Sequence, residues 1–182
     1  MQIPNSERLK FHFVTAADEE RFFQLDKDPE VMKYVTGRPM TREDVKTWCI
    51  PRLEKYACQE RGWGLWGMTR LDNAQYVGWI LVRPMHFFEP DQRDDNDLEL
   101  GWRLFQSEWG KGYATEGARA VMDTLRTNNA CTQFSAVAVK ENTASTNIMK
   151  KLGMSFVNEE IYTDPDIEDQ LCVVYSCSAN AG

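Results

Sequence analysis

Apolar residues recur along this chain with two periods, and the period changes often. Alternation or short apolar runs predict strands over residues 8–14, 64–70, 75–83, 98–105, 134–139, 154–162 and 171–177. Residues 71–74, Leu-Asp-Asn-Ala, supply the turn between the second and third of these. Helical spacing of Phe22, Phe23 and Leu25 predicts a helix over 18–27, with a second piece over 29–34 set off by Asp28-Pro29. Thr41 is placed to cap another helix, with Asp44 reaching back and Val45, Trp48, Cys49, Leu53 and Tyr56 on its apolar face. Ala118, Val121, Met122 and Leu125 predict a long helix over 113–127, and a shorter one follows over 143–152, ending at Gly153. Residues 85–96 have no period and read as a surface loop. Strands interleaved with helices, without repeats or low-complexity linkers, predict an α/β (α+β) domain: a mixed sheet with helices on both faces.

One junction carries chemistry. After the strand ending at Phe105 come Trp109-Gly110-Lys111-Gly112-Tyr113-Ala114-Thr115-Glu116, a glycine-punctuated turn into the long helix. Glycines there bring the main chain close to an anion, and the helix start offers free N–H groups, so the turn is a phosphate cradle. It is not a P-loop, because no G-x-x-x-x-G-K-[ST] string exists. Nor is it a dinucleotide fingerprint, since Thr115 stands where the third glycine is required and Gly117 comes two positions late.

That turn and a second motif, Asn142-Thr-Ala-Ser145-Thr-Asn-Ile-Met-Lys-Lys-Leu152-Gly153, together resemble the GNAT acyltransferase superfamily. Ser6-Glu7-Arg8-Leu9 and Asp28-Pro29-Glu30-Val31-Met32 are similar to the opening of its RimJ/RimL-type branch, which acetylates amines. Ser107 and Gln106 depart from the residues usual in that loop, where backbone amides make most of the phosphate contact. The resemblance implies a GNAT fold over 1–182: a mostly antiparallel, twisted sheet of about seven strands, flanked by about four helices, its central strands splayed. It implies acetyl-CoA as co-substrate, with no metal. The pyrophosphate would rest on the amides of Gly110, Lys111, Gly112, Tyr113 and Ala114 beside Trp109. Pantetheine would run along Arg103, Leu104 and Phe105, with Asn142 both capping its helix and touching the cofactor.

Acetyl transfer to an amine needs the neutral nucleophile, and a carboxylate base helps to reach it near pH 7. A period of two puts Asp97, Glu99, Gly101 and Arg103 on one face of their strand and Leu98, Leu100, Trp102 and Leu104 on the other. Glu99 is the first candidate base and Asp97 the second; the competing reading pairs Glu99 with Arg103. Ser145 is the hydroxyl placed to protonate the leaving thiolate, unless it only bonds its own helix start. Trp63, Trp66, Trp79, Trp102, Phe87 and Phe88 could wall an acceptor pocket, but aromatic residues in strands are more often core; His86, one of two histidines, has no carboxylate or nucleophile arranged beside it in sequence to make it a base.

Charge narrows the partners. The chain has 182 residues and a net charge of −7, which disfavours nucleic acid. The acidic stretch 89–97 suits a cationic acceptor, such as a protein N-terminus or a small amine. No apolar run spans a bilayer and no signal segment opens the chain, which predicts a cytoplasmic protein without a membrane partner. Five cysteines without C-x-x-C spacing read as packing residues. A homodimer follows from family habit, and a non-catalytic acyl-CoA-binding regulatory module is the alternative function.

Overall fold

The computed structural model describes residues 1–128, 130–164 and 167–180. Seven strands form one sheet: β1 (Leu9–Phe13), β2 (Gly64–Arg70), β3 (Tyr76–Met85), β4 (Asp94–Leu104), β5 (Gln133–Val139), β6 (Ser155–Asp164) and β7 (Ile167–Ser178). Their order is β1-β2-β3-β4-β5-β7-β6. Every neighbouring pair is antiparallel except β4 and β5, which are parallel.

That parallel pair opens almost at once. Its rungs are Asp97 with Gln133, Leu98 with Phe134, and Glu99 with Ser135. Beyond them β4 stays on β3 as far as Leu104, and β5 stays on β7 as far as Val139, but the two no longer meet. The sheet therefore carries a wedge-shaped gap at its centre, bordered by main chain that lacks a neighbour.

Among the described residues six α-helical segments cover the sheet: α1 (Glu19–Asp26), α2 (Pro29–Met32), α3 (Arg42–Asp44), α4 (Ile50–Tyr56), α5 (Tyr113–Thr127) and α6 (Thr143–Lys151). A π-turn over Val45–Cys49 joins α3 to α4, making five α-helical bodies, in line with the expected sheet flanked by about four. Pro51 explains the turn, because it has no N–H to bond back one turn and the local winding loosens. Trp48 and Cys49 of the loosened stretch, with Arg52 of α4, line a cleft on this side of the sheet. Thr41 and Asp44 form the expected capping box at its start.

Two apolar cores lie on opposite faces. On one, α5 buries Ala118, Val121, Met122 and Leu125 against Ile80, Leu98, Leu100 and Leu104. Each of the larger of these side chains contributes about 1.5–3 kcal/mol, so Leu125→Ala, at a fully buried position, costs about 2–5 kcal/mol. Gly117 sets the approach, since a Cβ there would lie 2.2 Å from Met68 Sδ. On the other face, Phe22, Leu25, Met32, Val45, Leu53 and Tyr56 pack on Leu65 and Trp79.

The surface loop expected at 85–96 is shorter and less exposed than its composition suggests. β3 runs to Met85 and β4 starts at Asp94, with a register shift at Pro84/Met85. Phe87 and Phe88 pack edge-on against Tyr56.

Candidate functional site

Three rungs between β3 and β4 floor a cleft. Trp79 lies opposite Arg103, Leu81 opposite Gly101, and Arg83 opposite Glu99, and all six side with the helices α1–α4. Glu99 is buried, and each of its oxygens accepts one bond from Arg83: Nε donates to Oε2 at 2.8 Å and Nη2 to Oε1 at 3.1 Å. Arg83 Nη2 also donates to Tyr162 Oη, tying β6 into the cleft wall. Burial works against the Arg83 charge, but the groups around it, Glu99 foremost, more than offset this and hold the proton on. Arg103 donates instead to Asp26 Oδ2 at 2.7 Å and lies over the Trp79 ring at 4.6 Å. The expected alternative of a Glu99–Arg103 pair is therefore replaced by two separate pairs, because strand register puts Arg83 across from Glu99.

A second depression begins where β4 ends. Gly110 and Gly112 have φ of +73° and +84°, conformations a side chain resists, so the turn depends on glycine for its shape. The first intrahelical bond of α5 reaching back to the turn runs from Glu116 N–H to the Gly112 carbonyl at 3.0 Å, leaving the preceding amides of the first turn for an anion. The N-terminal segment braces this loop. Glu116 accepts from Ser6 Oγ and from Arg8 N–H, and Arg8 Nη1 donates to the Lys111 carbonyl at 3.0 Å. Trp109 Nε1 donates to the Leu104 carbonyl at 2.9 Å, fixing the strand end against the turn.

The groove from this turn runs between β4 and α6 and meets the cleft. Tyr34, Val35, Trp102, Arg103, Asn142 and Ser145 line both. Asn142 Oδ1 caps α6 by accepting from Ser145 N–H at 3.1 Å. Trp102 Nε1 donates to Ser145 Oγ at 3.2 Å. A phosphate cradle, an opened sheet and a second cleft meeting at a hydroxyl are what two-substrate transfer from a long phosphorylated thioester requires.

The acetyltransferase (GNAT) domain model matches residues 8–155. The chain belongs to the GNAT acetyltransferase family. Among curated relatives, the FsC-acetyl coenzyme A-N(2)-transacetylase of Aspergillus fumigatus is 30% identical over 177 residues, spanning 91% of this chain and 73% of that one. A GNAT-family acetyltransferase from Bacillus anthracis superposes with a TM-score of 0.77 at 22% identity, over 98% of this chain and 99% of the other. RimL, a ribosomal L7/L12 α-N-protein acetyltransferase solved with coenzyme A, superposes at 0.76 with 14% identity over the full length of both. Those two likenesses establish the fold.

As a GNAT acetyltransferase the protein uses acetyl-CoA, and the residues present fit it: the positive-φ glycines make the cradle and the β4–β5 gap leaves a strand edge for pantetheine. Of the residues expected to hold it, Arg103, Leu104, Trp109, Gly110, Gly112, Tyr113, Ala114 and Asn142 line the groove. Phe105 and Lys111 do not. Phe105 turns to the opposite core, beside Tyr76, and Lys111 is drawn to the buried Glu108 at 3.3 Å. Asp97 lies at the β4–β5 rungs outside the cleft, where Ser135 and Gln133 donate to its Oδ2; burial pushes its carboxyl up, against those bonds. Part of the acidic stretch 89–97 is already paired, Glu89 with His86, and Asp95 with Arg93 and with Arg61 from outside the stretch. Sequence reading missed Asp26, Arg83 and Tyr162, because only strand register and helix packing bring them into the cleft. The described residues include no helix long and apolar enough to cross a membrane.

Proposed function

We infer that this acetyltransferase moves the acetyl group to a primary amine, a protein N-terminal α-amine or a small amine, by direct attack within a ternary complex. The observation that carries this reading is the junction: groove and cleft share Trp102, Arg103 and Ser145, so an amine in one faces a thioester in the other. Such juxtaposition supplies much of the rate by orientation alone.

Each residue then has a role. The turn amides of Gly110, Gly112, Tyr113 and Ala114 hold the pyrophosphate, and the free edge of β4 beyond Glu99 meets the pantetheine amides. Asn142 holds the start of α6 beside the thioester. Ser145 accepts a hydrogen bond from Trp102, which leaves its own O–H to donate to the departing sulfur. Glu99 keeps a free lone pair on each oxygen despite Arg83, and receives the amine proton through a water.

A covalent route through cysteine is disfavoured. Cys49 and Cys172 line the cleft, and burial pushes their thiols up, to about 12 and about 11, so neither is a thiolate near neutral pH. The proposed setting is the cytoplasm, with a homodimer as the assembly.

The test is thiol release from acetyl-CoA over a panel of amines: peptides starting in Ala or Ser, polyamines, aminoglycosides and free amino acids. Release that depends on one class of amine is expected. Binding of acetyl-CoA without release for any amine would contradict the reading and favour a regulatory module.

A further inference from the structure

Among the described residues, two polar groups in the cleft have nothing to bond. Asp26 is fully buried, and while its Oδ2 accepts from Arg103, its Oδ1 has no partner among the described residues. Trp79 is 7% exposed, and its indole Nε1 is equally without one. Both residues line the cleft, and both touch the same guanidinium: Arg103 bonds the first and stacks on the second. Buried polar atoms nearly always find partners, and two orphans of opposite kind about one side chain point to a ligand that supplies both bonds. Arg103 also borders the cofactor groove, so these atoms sit one side chain away from the junction.

We propose that Asp26 Oδ1 and Trp79 Nε1 form the acceptor-recognition subsite, selecting an amine that carries a carbonyl on the adjacent carbon. This rests on the acetyltransferase reading above and names its acceptor class. Asp26 Oδ1 accepts from the amine N–H, and Trp79 Nε1 donates to the carbonyl oxygen. A simple alkylamine or polyamine satisfies the carboxylate and leaves the indole unpaired. An α-amino amide, or the first residue of a peptide, satisfies both. Burial pushes the Asp26 carboxyl up, with Arg103 opposing, so an incoming donor at Oδ1 also relieves a desolvated group.

The test uses the full chain loaded with coenzyme A, in which no acetyl group can transfer. Tryptophan indole N–H resonances are followed by NMR, with Trp79 assigned through Trp79→Phe, while alaninamide or isopropylamine is titrated. The Trp79 signal is expected to move with alaninamide and not with isopropylamine, and alaninamide to bind at least about tenfold more tightly. Trp79→Phe removes that preference, and Asp26→Asn weakens both ligands, with coenzyme A affinity kept in each. An unmoved Trp79 signal at the highest concentrations of both amines, or a preference that survives Trp79→Phe, overturns the subsite. Because binding is read without turnover, tight alaninamide binding beside absent thiol release would sink the acetyltransfer reading and leave the subsite standing.

Discussion

Trp102 Nε1 donates to Ser145 Oγ across 3.2 Å, joining β4 to the first turn of α6 where the cofactor groove meets the cleft. The bond crosses the gap left when β4 parts from β5, and it orients a hydroxyl in that gap. Ser145→Ala is expected to lower kcat about a hundredfold, with acetyl-CoA affinity unchanged. Trp102→Phe keeps the hydroxyl and loses its orientation, and should cost about tenfold. Stopped-flow or steady-state thiol release, beside calorimetric binding of acetyl-CoA, separates the two effects. Equal activity in Ser145→Ala would remove the hydroxyl from the chemistry.

Glu99→Gln preserves size and one acceptor for Arg83 while removing the charge. Turnover at pH 7 should drop about a hundredfold and recover in part at high pH, where the amine is already neutral. The pH–rate profile of wild type and variant checks this. Unchanged turnover across the profile would exclude Glu99 as the proton acceptor.

Gly112 has φ of +84° and space around it, for a Cβ there would meet only Arg8 Nη2 at 3.4 Å. The cost of Gly112→Val is therefore one of backbone conformation, and it falls on the cradle itself. Calorimetry should show loss of acetyl-CoA binding in a protein whose circular dichroism is unaltered. Normal affinity would contradict the loop assignment.

Cys49 faces the cleft with its thiol pushed up to about 12 by burial, the Asp26 charge adding to the effect. Cys49→Ala should keep turnover within about threefold of wild type, since the thiol is no nucleophile at neutral pH. Loss of all activity in a folded variant would revive a covalent route.

Asp44 closes the capping box that starts the helix lining the cleft. Arg38 foremost, and then Thr41, hold its carboxyl well below the usual carboxylate range. A depressed folded value means a stabilising contribution that is complete above the unfolded value, about 4, and lost as the pH falls through the folded one. Asp44→Asn is thus expected to lower stability by about 1 kcal/mol at pH 7, with the difference shrinking in acid. Urea midpoints measured from neutral to acid pH would show it. A constant difference would mean the charge is not the cause.

The long helix and the turn before it were readable from sequence because Gly110, Gly112 and the spacing of Ala118, Val121, Met122 and Leu125 are local signals. The alternation of β4 likewise placed Glu99, Gly101 and Arg103 on one face, as found. The partners of those residues were not readable, since Arg83 reaches Glu99 through strand register and Asp26 reaches Arg103 through helix packing across 77 positions. The strand at Asp94 was hidden by a run of acids that pairing with β3 overrides. The acidic stretch looked like a cationic docking face in part because Arg61, one of the two arginine partners of Asp95, lies 34 positions away in the chain.

Direct transfer within a ternary complex is tested most directly by initial rates of thiol release over a matrix of acetyl-CoA and amine concentrations. Double-reciprocal lines that intersect, with no acetylated protein trapped when the amine is left out, are the predicted result. Parallel lines, with an acetyl group retained on the chain, would contradict it.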